Sequence, residues 1–209
     1  MHCFYLEYVW KSIKNHLFDS ITVVLTSFVL LLFFTIHIYV MTGKEITVHY
    51  YEFNHVRELS SEYQSLLEEA SKACADAYAP YSGFKVGAAI RCSNGTVIIG
   101  NNQENAAYPS GLCAERVALF SAMAINPQAI IEQIAITVKT KSGNSKEPVS
   151  PCGACRQVIA EYEHRQGKEI EILFSSESGR IILVKGISNL LPFTFNSDNL
   201  TTHEKDNLS

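Results

Sequence analysis

Between Asp19 and Lys44 the chain runs for 24 residues without a formal charge. The heart of that run, residues 21–41 (ITVVLTSFVLLLFFTIHIYVM), is long enough to cross a bilayer, which takes roughly 20 apolar residues. Its length, and the lack of a small-residue cleavage site, set it apart from a removable leader. Two expectations stand side by side. Residues 21–41 anchor the chain in a membrane, or residues 1–40 are upstream sequence outside a cytoplasmic natural protein that starts near Met41, where MTGKEITVHYYEF opens like an ordinary soluble chain. Lys11 and Lys14 are offset by Glu7 and Asp19, and Lys44 and Arg57 come after the run, so charge sets no orientation. A soluble fold has to be built from the residues beyond Met41.

Past the run the pattern is globular and acidic. Lys and Arg total 17 against 21 Asp and Glu, a net charge of −4, which excludes the basic surface that a nucleic-acid polymer needs. Six cysteines in 209 residues are too sparse for a disulfide scaffold. Tyr63, Leu66, Leu67, Ala70, Ala73, Cys74 and Ala77 recur at helical spacing, with Ser60 or Ser61 placed to cap the start and Pro80 to end the run. Strands are expected at 84–90 and 96–100, joined by a tight turn at Asn94-Gly95, and then at 131–138, 169–174 and 180–184. Helices are expected at 112–124, stopped by Asn126-Pro127, and at 152–165, stopped by Gly167. That order implies an α/β fold, one mixed five-stranded sheet with helices on both faces. The expected division is a hydrophobic segment 1–41, a domain 42–196 and a polar tail 197–209.

The chemistry gathers at two helix starts, Cys113-Ala114-Glu115-Arg116 and Pro151-Cys152-Gly153-Ala154-Cys155-Arg156-Gln157. Cys152 and Cys155 are three apart on a helix, so both sulfurs point to one side. A helix N-terminus carries partial positive charge, which favours thiolate and hence metal binding. If Cys113 converges on the pair, three thiolates hold one Zn²⁺ and leave a position open, the arrangement of catalytic rather than structural zinc. A redox dithiol would use Cys152 and Cys155 but leave Cys113 and Glu115 idle. A closed four-cysteine site would need Cys3, Cys74 or Cys92, and none stands at knuckle spacing. Glu115, two residues from one ligand, is placed to move protons without holding metal. Arg156 reads as a solvated helix position.

With both motifs in view, the chain resembles the zinc-dependent cytidine deaminase family, in its small homotetrameric form. The resemblance spans about residues 62–195 and includes AYAPYSGFKVGAA at 77–89 and NQENAAY at 102–108. It implies a three-layer αβα sandwich, one Zn²⁺ per subunit on Cys113, Cys152 and Cys155, and Glu115 as the proton-transferring catalytic residue. It also implies that Asn102 and Glu104 bind the sugar hydroxyls, that Phe84 packs on the base, and that the Ala114 amide meets the pyrimidine carbonyl. Arg116 would withdraw charge from the thiolates, and Phe195 would reach a neighbouring subunit's site. The implied reaction converts cytidine and 2′-deoxycytidine to uridine and 2′-deoxyuridine plus ammonia, in pyrimidine salvage. Two other readings remain: a deaminase of a cytosine-nucleoside antibiotic of the blasticidin-S type, and an inactive zinc scaffold on a membrane anchor.

Overall fold

The computed structural model describes residues 22–29, 43–143 and 145–201. They fall into two units that part between Ile46 and Thr47. In the first unit, residues 22–29 are helical and exposed, and the rest of the expected span, residue 21 and residues 30–41, lies outside the described residues. Among the described residues no helix is long and apolar enough to cross a membrane.

The second unit forms around one sheet. The run of apolar residues after Ser60 makes helix α1 (Ser61–Ala75), which buries Leu66, Ala70 and Cys74. Strands β2 (Lys85–Cys92) and β3 (Val97–Asn101) pair as a hairpin whose turn holds Gly95 at φ 80°, a left-handed geometry that glycine adopts without strain. Helix α2 (Ala114–Ile125), strand β4 (Ile131–Lys139), helix α3 (Gly153–Gln166), and strands β5 (Glu171–Ser175) and β6 (Ile181–Lys185) come next in the expected order.

Among the described residues the sheet has six strands rather than the five expected. The addition is β1 (Tyr51–Phe53), which pairs antiparallel with β6, and the sheet runs β1-β6-β5-β4-β2-β3. A three-residue strand has too few positions to show alternation, so only its pairing reveals it. Alternation along the central strands divides the core into two faces. Ile134 and Ile136 of β4, with Ile172 and Phe174 of β5, pack with Leu119 of α2 and Ile159 of α3. Ala135 and Leu173 point the other way and pack with Leu66 and Ala70 of α1. The three-layer αβα sandwich is therefore present.

Two glycines set how closely the helices approach. A Cβ on Gly100 would lie 2.5 Å from Ala118 N and 2.6 Å from Ala114 O, so only glycine lets the first turn of α2 rest on β3. Gly87 does the same for α1, with Ala70 O at 2.0 Å from its ideal Cβ position. Strand β2 is antiparallel to both β3 and β4, so those two run the same way, and β5 is parallel to β4. The chain thus leaves β3 and β4 at one end of the sheet and turns there into α2 and α3. The region beyond the carboxyl ends of parallel strands is where open α/β sheets commonly bind ligands.

Candidate active site

Cys113 is the N-cap of α2 and Cys152 the N-cap of α3. Neither side chain caps its helix, although Ser, Thr, Asp or Asn there would add about 1 kcal/mol. The cap positions are given to sulfur instead. Cys155 sits one turn into α3 and is buried. Cys113 Sγ lies 3.8 Å from Cys152 Sγ, and Cys152 Sγ lies 3.5 Å from Cys155 Sγ. All three sulfurs fall within 4.8 Å of one another. Sulfurs sharing one tetrahedral zinc at roughly 2.3 Å would be roughly 3.8 Å apart, so the trio fits that ion.

The surroundings favour thiolate at Cys113. The Cys113 thiol is held well below its usual range, first by the hydrogen bond from Cys155, and further by those from Arg116 and Cys152. Cys155, the donor in that contact, is pushed up by Cys113 and by burial. Arg116 Nη2 donates to Cys113 Sγ at 3.6 Å, and its buried Nε has no hydrogen-bond partner among the described residues. This guanidinium is aimed at sulfur. Glu115 is 4% exposed, and burial raises its carboxyl above the ordinary carboxylate value, with the neighbouring charge at Cys113 adding to the effect.

Beside the sulfurs lies a cavity of about 780 Å³, whose walls include Phe84, Asn102, Glu104, Cys113, Glu115 and Cys152. That volume suits a small organic ligand. Asn102 Oδ1 accepts the Val86 N–H at 2.8 Å, and its Nδ2 donates to Phe84 O at 2.9 Å. Glu104 accepts the Tyr81 N–H at 2.8 Å and the hydroxyl of Ser82, whose Oγ in turn accepts the Phe84 N–H at 2.9 Å. The Ser82 hydrogen bond is the main reason the Glu104 carboxyl lies below its usual value. Both side chains therefore shape the loop that presents Phe84, and each keeps a further donor or acceptor for a ligand. Ala114 is fully buried as the first residue of α2, where its N–H has no intrahelical acceptor.

The zinc-binding region of cytidine and deoxycytidylate deaminases, as a family profile, matches residues 60–167. The chain belongs to the cytidine deaminase family. A cytidine deaminase of Halalkalibacterium halodurans is 41% identical over 137 residues, which is 66% of this chain and 96% of that one. One from Mycobacterium tuberculosis is 32% identical over 139 residues, 66% of this chain and 93% of the other. The crystal structure of cytidine deaminase from Burkholderia pseudomallei superimposes with a TM-score of 0.57 at 38% identity, covering 66% of this chain and all of that one.

In this cytidine deaminase fold Ala114 and Cys155 lie behind the residues that line the cavity, and Arg156 and Phe195 are not among its walls either. Phe195 is 59% exposed and lies outside the profile match. Arg156, expected in solvent, is instead half-buried and tethered on three sides. Its Nε donates to Pro151 O, its Nη1 to Leu190 O and its Nη2 to Ser150 Oγ, at 2.8, 2.7 and 2.7 Å. Sequence reasoning missed this because all three acceptors are hydroxyl or backbone oxygens, which leave no pattern in the residue types. The remaining described thiols outside the trio, Cys74 and Cys92, are buried, and burial raises both.

Proposed function

We propose a division of labour for the zinc-dependent hydrolytic deamination of cytidine and 2′-deoxycytidine. Cys113, Cys152 and Cys155 would hold Zn²⁺. When bound, the ion supplies a Lewis acid that brings the pKa of water toward about 7. Glu115 holds and moves the protons: its buried carboxylate takes one from the attacking water, passes it to ring N3, and later helps protonate the departing amine. Cytidine and water are consumed, and uridine and ammonia leave. Arg116 draws charge from the Cys113 sulfur, so that three thiolates do not blunt the ion's acidity. Phe84 packs on the base, the Ala114 amide meets the pyrimidine carbonyl, and Asn102 and Glu104 bind sugar hydroxyls. The observation that carries this reading is a cluster of three sulfurs beside a nucleoside-sized cavity whose walls include Cys113, Cys152 and the buried Glu115.

The same reading assigns a homotetramer in which Phe195 reaches a neighbour's cavity. Phe120 and Ile125 on α2 are 44% and 70% exposed, apolar surface of the kind that subunit contacts cover. A thiolate site for free nucleosides suits the reducing cytosol and a role in pyrimidine salvage. Names of the relatives favour the nucleoside over a cytosine-nucleoside antibiotic. The test is ammonia release by the zinc-loaded protein on cytidine, deoxycytidine, cytosine, CMP and blasticidin S. Turnover is expected on the two nucleosides only. Comparable rates on CMP and cytidine would overturn the nucleoside assignment.

A further inference from the structure

Of the three sulfurs, the Cys152 thiol is the one the packing holds least. Cys113 precedes a helix start pressed onto the sheet at Gly100, and Cys155 is buried within α3, but Cys152 is exposed at the end of a loop. With its side chain, Arg156 grips that loop at the two residues that precede the cysteine. Its backbone N–H donates to Cys152 O at 2.9 Å, while its guanidinium binds Pro151 O and Ser150 Oγ. The remaining arm reaches Leu190 O, in the segment after β6. We propose that Arg156 is a positioning residue for the metal site, its guanidinium fork fixing the Ser150-Pro151 turn so that Cys152 Sγ stays beside the other two sulfurs. The proposal rests on the reading of the three cysteines as zinc ligands. A lysine in its place would keep the charge and the aliphatic stem, but a single ammonium cannot reach three separately directed acceptors. Groups that orient ligands from outside the coordination shell commonly change metal affinity by about 10–100-fold.

The experiment measures zinc affinity by chelator competition, with urea midpoints alongside, for the full chain and for Arg156→Ala, Arg156→Lys, Gln157→Ala and Cys152→Ala. Gln157 supplies the control, because its Nε2 donates to Phe195 O at 2.7 Å and ties down the same C-terminal segment without touching the turn. Both Arg156 variants should release zinc about 10–100-fold more readily, while Gln157→Ala keeps the affinity of the unaltered chain. Cobalt-loaded Arg156→Lys should still show sulfur-to-metal charge transfer, since the ligands themselves remain. Unchanged affinity in Arg156→Lys, or an equal loss in Gln157→Ala, would overturn the proposal. Zinc held equally well by Cys152→Ala would overturn the ligand reading instead. Arg156→Lys retains the charge and stem, so the comparison stands even if Arg156→Ala fails to fold.

Discussion

Glu115 sets stability against chemistry. A carboxyl buried to 4% exposure costs solvation, and its raised proton affinity is the mark of that cost. Replacing it should remove function and leave the fold at least as stable. Glu115→Ala is expected to retain its zinc and melt no lower than the parent, while turnover falls by at least about 10²–10⁴-fold. Zinc analysis and cytidine kinetics on one preparation check both halves, and metal loss would sink the role given to this residue. At this scale the sequence was informative about sulfur and carboxylate, because ligand spacing and helix starts constrain which residues can meet. It wrongly placed Arg156 in solvent, because the partners at positions 151 and 190 are backbone oxygens that leave no mark in residue types. It was silent on the loop-holding work of Asn102 and Glu104, which bind backbone groups of the Tyr81–Val86 stretch.

Helices and strands were legible wherever periodicity ran for several turns or pairs, and their bounds differ from expectation by only a few residues at either end. β1 was hidden, being defined by its partner β6 rather than by itself. The close approach of α2 to β3 gives a direct test of how elements carry the site. Gly100→Ala places a Cβ against backbone atoms of Ala114 and Ala118, which cannot swing aside as a side chain could. The start of α2 must lift, at about 1–3 kcal/mol, and Cys113 moves with it. Urea titration should show a lower midpoint, and chelator competition a weaker hold on zinc. The loop between β4 and α3 makes a second test. Glu177 accepts the Ser145 and Thr140 N–H groups, and these bonds, the Ser145 one foremost, hold its carboxyl below the ordinary value. A carboxyl depressed in the folded state lends stability above its unfolded pKa and loses it as pH falls through the folded one. Glu177→Ala should therefore melt below the parent at neutral pH, and the gap should close on acidification below about pH 4. A gap independent of pH would remove the charge from the explanation.

On the scale of the whole molecule, the profile match begins at residue 60, yet the sheet recruits chain from before it. Phe53 and Leu59 pack on the same face of the core as Leu66 and Leu183. A chain starting at Met41 should accordingly fold, bind zinc and deaminate cytidine with the urea midpoint of the full protein. One starting at Ser60 should lose stability, because the edge of β6 and its apolar neighbours are uncovered. Equal midpoints for the two would show that β1 contributes nothing. The two cysteine-bearing helix starts come after different strands, β3 and β4, and meet only because those strands end on the same side of one sheet. A ribosome must deliver the chain beyond Cys155 before the third sulfur exists at all, and the pieces must then be threaded in the right order. A chain cut short before Cys155 lacks the third sulfur of the trio, and one whose β3 and β4 have not both paired with β2 has nothing to bring the two helix starts together. A bound zinc would therefore report that both strand ends have reached their places in the sheet.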